Sequence, residues 1–374
     1  MTSRTAVVLL LTFILATSAA ATEFPVGTLR FFNTRVAAAV PALGGGIWVG
    51  NSHGLVRYTE AGAGATLPTP GGGTPYILAL ASDGSIWFAS STLIGRISQG
   101  GAILDQYPMT GVRALAVASD GALWYSRGSL GDIVGRIAGH LPVEFPSPTQ
   151  TWSLAAASDG QMWLLGNGLG TTADNLYKMT PAGAVSKLPL GHDVLFGVLQ
   201  ALPDGTLYIG TGIRYSLLRL APGAQTVEVV AGLPGSEYLS DSAGGLWTGG
   251  YQVLQFITRS GVQNVPVTMP GDPRQGRCIN IPAYVYQPVA IDSTGGLWVS
   301  ISDGAGYIGE VPPCLEPEPP PMPDLIRIDM SRFIVTSAPG YSVPAISTAM
   351  LGALGIALAL VATCYIGAVS GKAT

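Results

Sequence analysis

Ser82-Asp83-Gly84-Ser85-Ile86-Trp87 decides the fold, because the chain repeats it. It returns as Ser119-Asp120-Gly121-Ala122-Leu123-Trp124 and as Ser158-Asp159-Gly160-Gln161-Met162-Trp163. Looser copies are Gly44-Gly45-Gly46-Ile47-Trp48, Pro203-Asp204-Gly205-Thr206-Leu207-Tyr208, Ala243-Gly244-Gly245-Leu246-Trp247 and Thr294-Gly295-Gly296-Leu297-Trp298. The closing aromatics fall at 48, 87, 124, 163, 208, 247 and 298, in steps of 39, 37, 39, 45, 39 and 51 residues. One aromatic and one Gly-containing turn about every 40 residues is the signature of a propeller or a solenoid.

The phrase has a local explanation. Asp-Gly and Gly-Gly supply the positive φ of a tight hairpin turn. Before the turn stand small apolar runs such as Ile77-Leu78-Ala79-Leu80-Ala81, which read as strands buried on both faces. After it, Ile86-Trp87-Phe88-Ala89 reads as the antiparallel partner. A second phrase follows each of the first five aromatics: Gly54-Leu55-Val56-Arg57-Tyr58, Leu93-Ile94-Gly95-Arg96-Ile97, Ile133-Val134-Gly135-Arg136-Ile137, Asn175-Leu176-Tyr177-Lys178-Met179 and Ser216-Leu217-Leu218-Arg219-Leu220. Its apolar and basic residues suit a strand with one wet face. A more polar segment such as Ala102-Ile103-Leu104-Asp105-Gln106-Tyr107 closes the unit. Four strands per unit of about 40 residues make a propeller blade, and seven units make one closed all-β domain.

Charged residues are 11% of the 374, against about 25% in a typical soluble chain, and 51 are Gly, twice the usual share of about 7%. That composition suits an all-β repeat protein rich in tight turns. The net charge of −4 and the lack of a basic cluster give no reason to expect a nucleic-acid partner. No Gly-Lys-Ser/Thr phosphate loop occurs after the Gly run at 44–46.

The ends of the chain are of a different kind. Residues 1–21 read as a signal peptide, with Arg4, an apolar stretch from Ala6 to Ala16, and a small-residue cleavage site at Ala19-Ala20-Ala21. The propeller is expected over 22–313. Its last unit shows an inner strand around Val289-Ala290-Ile291, a second at Leu297-Trp298-Val299-Ser300 and a third at Tyr307-Ile308-Gly309-Glu310-Val311, but no fourth. Residues 28–34 form an orphan strand before the first unit and are expected to supply that fourth strand, which leaves the ring no open edge. Residues 314–342 begin Pro- and Glu-rich and read as a stalk. Residues 343–369 read as one membrane-spanning helix, since 345–369 hold no charge, and 370–374 form a short tail. Export would take the chain to an oxidising compartment, where Cys278 and Cys314 could pair as a disulfide. No Cys/His spacing points to zinc. Two longer stretches, 164–175 and 264–285, read as loops inserted between strands.

The Asp-Gly-x-Leu/Ile-Trp phrase with Ile-Gly-Arg-Ile resembles the seven-bladed propellers of the streptogramin B (virginiamycin B) lyase-like family, over roughly residues 28–313. The match is closest at Asp83-Gly84-Ser85-Ile86-Trp87 with Ile94-Gly95-Arg96-Ile97. The resemblance implies a lyase scaffold with a His general base, acidic partners and a magnesium ion on one face. In that family a Pro-His-Gly often opens the inner strand, eleven positions before the aromatic. Here that position holds Ala37, Tyr76, Arg113, Trp152, Gly197, Ser236 and Gln287. The three His of the chain, His53, His140 and His192, all lie elsewhere. No catalytic residue carries over, and a group titrating near neutrality is missing from the place where proton abstraction would need it. The C-terminus resembles an IPTL/PEP-CTERM sorting segment, with Val343-Pro344-Ala345-Ile346-Ser347 at the motif and the apolar helix directly after it. That resemblance implies a sorting enzyme as partner and a cell-envelope location.

Inner-strand starts gather on one face of a propeller, so Tyr76, Arg113, Trp152 and Gln287 are expected to converge at its mouth. Aromatic rings with an Arg suit a sugar, a peptide or a flat ligand. Asp83, Asp120, Asp159 and Asp204 read as turn formers rather than as acids or metal ligands. Arg57, Arg96, Arg136, Lys178 and Arg219, one per unit, read as a solvated face. The functional expectation is therefore a non-catalytic binding module for a ligand, glycan or protein, displayed at the envelope through its C-terminal helix, with no cofactor. Two alternatives stay open. One is a magnesium-dependent C–O lyase of the streptogramin B type with different catalytic residues. The other is a metal-dependent lactonase-like hydrolase, for which Glu237 and Asp241 are the nearest acids to the mouth.

Overall fold

The computed structural model describes residues 38–167, 175–191, 197–211, 216–232, 238–240, 244–250, 253–258, 261–265, 284–303 and 325–329. Seven antiparallel sheets are present among them, one for each copy of the turn phrase. Blade 1 runs Ala38–Pro41, Ile47–Asn51, Gly54–Thr59 and Gly62–Leu67 from its inner to its outer strand. Blades 2 to 6 repeat that up-and-down order. Their inner strands are Ile77–Leu80, Val112–Val117, Gln150–Ala156, Val198–Ala201 and Tyr238–Ser240. Blade 7 begins at Tyr284–Ile291. Each inner strand lies beside the next, and that of blade 7 lies beside that of blade 1, so the ring closes. This is the seven-bladed propeller that the repeat predicts. The expected signal peptide, the closing strand at 28–34, Cys278 and Cys314, and the membrane helix at 343–369 all lie outside the described residues, as do most of both inserted loops.

The repeated phrase makes the same turn in blades 2, 3, 4, 5 and 7. In blade 2, Ala81 N–H donates to Ser85 O and Gly84 N–H to Ala81 O, with Gly84 at φ +81°. Asp83 Oδ1 accepts the Ser85 N–H at 2.9 Å, and Asp120, Asp159 and Asp204 accept the equivalent N–H in blades 3, 4 and 5. These Asp are turn formers, as expected. The basic residues are not a solvated face. Each stands directly across from its blade's aromatic: Trp48 from Arg57, Trp87 from Arg96, Trp124 from Arg136, Trp163 from Lys178 and Tyr208 from Arg219. Arg96 lies 5.1 Å from the Trp87 ring centre and reaches Asp83 at 2.6 Å. Arg136 pairs with Asp120 and Lys178 with Asp159 in the same way. In blades 2 and 4 the cation thus lies by the ring and reaches the turn, which fixes its side chain, while Arg219 of blade 5 pairs with Glu228 instead.

Gly in Ile-Gly-Arg-Ile has an equally local cause. Gly95 pairs with Phe88 and Gly135 with Tyr125, the residues just after the Trp. A Cβ on Gly95 would fall 2.3 Å from Phe88 Cζ, and one on Gly135 2.1 Å from Tyr125 Cζ, so only Gly lets these rings lie across the strand. Where an aliphatic residue follows the aromatic, the partner is not Gly: Val49 faces Val56, and Ile209 faces Leu218.

The apolar core lies in the seams between blades. Trp48 and Leu55 of blade 1 pack with Ile86, Phe88 and Ile97 of blade 2. Trp124 and Val134 of blade 3 pack with Met162, Leu164 and Met179 of blade 4. At the closing seam Ile47, Val49 and Tyr58 of blade 1 meet Ala290, Trp298 and Leu325. Burying one such aromatic is worth roughly 4–6 kcal/mol before entropy is counted.

Leu325 belongs there because Leu325–Asp329 is the third strand of blade 7. This corrects two expectations. The third strand is not the 307–311 segment, and the propeller does not end at 313, since part of the expected 314–342 stalk is a blade strand. The physical reason is in the register, which sets Arg327 opposite Trp298 in the place of the other blades' cations. Its acid has moved as well. Asp292 occupies the turn place of Ala81, donating its N–H to Gly296 O and accepting Gly295 N–H. Its carboxylate accepts from Trp298 Nε1 and from Arg327 Nε, each at 2.8 Å. It also accepts from Thr294 Oγ1 at 2.6 Å and Gly296 N at 2.9 Å. Arg327 Nη1 continues to Glu60 of blade 1 at 2.5 Å. A buried ion pair inside the last blade is thus continued to the first by the exposed Glu60.

Candidate functional site

In each up-and-down blade the inner strand starts on one face of the ring and ends on the other. The Asp-Gly turns share the far face. Tyr76, Arg113 and Trp152 stand at the near face, on the successive blades 2, 3 and 4. What places them is a backbone irregularity. In blade 3 Ala114 pairs with Ser126 and Val112 with Arg127, which leaves Arg113 as the extra residue of a bulge. In blade 4 Thr151 pairs with Gly166 and Ser153 with Leu165, which leaves Trp152 in the same position. Tyr76 N–H donates to Ala89 O just beyond the Ile77–Ala89 pair. A bulge re-aims a side chain out of the pleat, and here it does so at the mouth.

The structure brings these three together. The Arg113 guanidinium lies 4.3 Å from the centre of the Trp152 ring. Its nitrogens donate to Gly128 O, at 3.1 Å, and to Ser129 O, in the loop after the second strand of blade 3. Tyr76 Oη donates to Val112 O at 3.0 Å, one residue from Arg113. All three are half-buried, each keeping one side accessible. Burial pushes the Tyr76 phenol above its usual value of 10.0, and the nearby Arg113 charge opposes that without reversing it. The phenol stays protonated at neutral pH and acts as a hydrogen-bond donor. A stacked, oriented guanidinium beside a ring and a phenol can hold a planar or polyhydroxyl group. None of the three can serve as a base near neutrality.

Gln287 is placed differently. In blade 7 the register slips at Val289, two residues closer to the aromatic than in blades 3 and 4. Gln287 therefore pairs with Ser300, the place that Ala114 and Ser153 hold in their blades. Counting eleven back from the aromatic reaches the bulge in blades 3 and 4 and misses it in blade 7. Gln287 also stands on a strand that is not next to those of Tyr76, Arg113 or Trp152.

One cluster near this face was missed by the sequence reading. Arg127 donates to both oxygens of Glu144, each at 2.6 Å, and Tyr125 Oη donates to Glu144 Oε1 at 2.7 Å. Hydrogen bonds from Arg127 hold the Glu144 carboxyl below its usual range despite partial burial. The signal was an Arg and a Glu found in that position of one unit only. Of the histidines, His53 lies in an exposed turn, His140 Nδ1 meets Asp105 at 3.1 Å in the open, and His192 lies outside the described residues. Glu237 and Asp241 also lie outside them. Among the described residues no group of three or more His, Cys, Asp or Glu stands close enough to hold a metal ion.

No family's sequence profile matches the chain, and no curated protein matches it. Solved structures do. A streptogramin B lyase is 17% identical, at a TM-score of 0.56, over 73% of this chain and 94% of that one. The virginiamycin B lyase of Staphylococcus aureus is 15% identical, at a TM-score of 0.57, over 80% of this chain and 98% of its own. The extracellular domain of a hybrid two component system from B. thetaiotaomicron is 15% identical, at a TM-score of 0.56, over 83% of this chain and 42% of that protein. The chain thus shares with these lyases and with that extracellular domain one thing, the seven-bladed propeller fold.

Proposed function

We propose that this propeller is a non-catalytic binding module whose ligand is held at the mouth by Tyr76, Arg113 and Trp152. The observation that carries the reading is the Arg113 guanidinium stacked 4.3 Å from the Trp152 ring and anchored to two backbone carbonyls. Such anchoring sets the binding surface before the ligand arrives, which lowers the cost of association. The ligand class it suits is a glycan or a peptide with a flat polar group. Support also comes from the neighbours: one is an extracellular sensor domain, and a virginiamycin B lyase of the same fold has been seen with quinupristin. The reading includes export, with residues 1–21 as leader and 343–369 as the anchor that keeps the propeller at the envelope.

The test is a glycan and peptide array probed with the full chain, followed by titration of any hit. The Arg113→Ala/Trp152→Ala variant should bind at least about 30-fold more weakly, because an aromatic–Arg hot spot is worth about 2 kcal/mol or more. Affinity that survives the double substitution removes the mouth from the account. Turnover of a cyclic depsipeptide with added magnesium would overturn the non-catalytic reading and favour a lyase.

A further inference from the structure

The far face carries a second feature, independent of the mouth. In the seam between blades 1 and 2, the side-chain amide of Gln99 fills the space beside Trp48. Its Oε1 accepts from Trp48 Nε1 at 2.6 Å and from Leu43 N at 3.2 Å, and its Nε2 donates to Gly84 O at 2.8 Å. Gln99 is the second residue of the turn in which Gly101 N–H donates to Ser98 O. The equivalent turn of blade 5 closes with Ala224 N–H on Ala221 O, and its second residue is Pro222. Proline has no amide to offer. The seam between blades 4 and 5 is open instead: a cavity of about 370 Å³ lies there, lined by Ser158, Asp159, Trp163, Lys178, Ser186 and Gln225, with Pro222 at its wall. Its size falls in the range of about 300–1,000 Å³ usual for small-ligand sites.

The same seam behaves otherwise in the neighbouring blades. Trp87 and Trp124 are buried, and among the described residues no acceptor reaches their indole N–H groups. Trp163 is only half-buried, lines the cavity, and has no hydrogen-bond acceptor for its N–H among the described residues. Lys178 lies 4.9 Å from the Trp163 ring centre and pairs with Asp159, so the nearest charges cancel. The remaining polar lining is two serine hydroxyls, the Gln225 amide and Lys187, whose ammonium lies 6.0 Å from the Tyr177 ring centre. A lining with one cation beyond the Lys178–Asp159 pair disfavours a cationic ligand, and the free indole N–H favours one that offers it an acceptor.

We propose that the blade 4–blade 5 seam is a binding site for a small ligand carrying an amide group, which takes the place that the chain's own Gln99 amide takes between blades 1 and 2. The chemistry is that of an acetamido group on an amino sugar or of a carboxamide on a peptide side chain. The shared requirement is a carbonyl oxygen for Trp163 Nε1.

The experiment follows the indole N–H resonances of the ¹⁵N-labelled full chain. The probes are N-acetylglucosamine, N-acetylglutamine amide, and glucose as the amide-free control. The Trp163 signal, assigned by its loss in Trp163→Phe, should shift saturably with an amide-bearing probe while that of Trp48 stays in place. Which of the two probes acts names the source as sugar or peptide. Pro222→Gln puts the blade 2 amide into the blade 5 turn and should abolish the shift with the melting temperature unchanged. Trp163→Phe keeps the ring, loses the N–H and should weaken binding about fivefold by any other readout. Arg113→Ala/Trp152→Ala should leave the shift intact, which separates this site from the mouth. No saturable shift with either amide, an equal response to glucose, or binding that survives Pro222→Gln with the variant folded would overturn the proposal.

Discussion

Asp292→Ala lowers the stability of the propeller by about 3–5 kcal/mol, measured by urea denaturation. The Asp292 side chain is 1% exposed and that of Arg327 8%. Removing the carboxylate strands a guanidinium in the closing seam and also takes the acceptor from Trp298 Nε1. Glu60 still reaches Arg327, but it is 65% exposed and lies on the solvent side of the pair. Removing both charges, as Asp292→Leu with Arg327→Met, costs less than the single change, because an apolar pair leaves nothing unpaired. A loss below about 1 kcal/mol for Asp292→Ala would show that the pair does not hold the seam.

The same carboxyl gives the protein an acid dependence of known sign. Burial alone would raise its pKa, but hydrogen bonds from Arg327, Thr294, Trp298 and the Gly296 N–H outweigh that and bring it down to about 2. In the unfolded chain an Asp titrates near 3.9. A carboxyl whose pKa is depressed on folding stabilises the native state above its unfolded value. That contribution is lost as the pH falls from about 4 towards 2. It amounts to about 2.6 kcal/mol in full, of which about 2 kcal/mol separates pH 5 from pH 2, and Asp292→Asn should abolish that difference.

The second large effect is expected at Gly135. Gly135→Val costs about 3 kcal/mol or more, since its Cβ alone would fall 2.1 Å from Tyr125 Cζ and the ring has no room to retreat within a buried seam. The Tyr125→Val/Gly135→Val pair reproduces the Val49–Val56 pairing of blade 1 and regains at least about 1 kcal/mol over Gly135→Val alone. Simple additivity of the two substitutions in thermal or urea unfolding would contradict the packing account of the glycine.

How far the sequence reaches is clear from particular residues. Trp48, Trp87, Trp124, Trp163, Tyr208, Trp247 and Trp298 each mark one sheet, because a turn phrase and a core aromatic are local features that a repeat displays. Tyr76, Arg113 and Trp152 were found by a fixed count from the aromatic, and the count holds while the bulge keeps its place. Gln287 shows its limit: a slip at Val289 is a backbone event that no residue type announces, and one residue of slip turns a side chain to the other face. The third strand of blade 7 was misplaced for a different reason. Arg327 follows Trp298 by 29 residues, while Arg57, Arg96, Arg136, Lys178 and Arg219 follow their aromatics by 9 to 15, so spacing favoured 307–311. The apolar–basic pattern of Leu325-Ile326-Arg327-Ile328 was present, but it stood beyond a Pro-rich stretch that reads as a linker. Asp292 was hidden because it sits one step before the turn phrase, where blades 1 to 5 carry Ala42, Ala81, Ala118, Ala157 and Leu202, although blade 6 carries Asp241 there.

The ring of seven blades, closed through Leu325–Asp329 and the Asp292–Arg327 pair, is what every site above depends on. Amide hydrogen exchange of the full chain tests it most directly. The 325–329 segment should exchange far more slowly than an unstructured peptide at the amides that bond to Gly296–Asp303, because among the described residues it is the outer strand of a three-stranded sheet with ladder hydrogen bonds on one side. Exchange of 325–329 at the rate of an unstructured peptide would contradict the closure and remove blade 7 as it is drawn here.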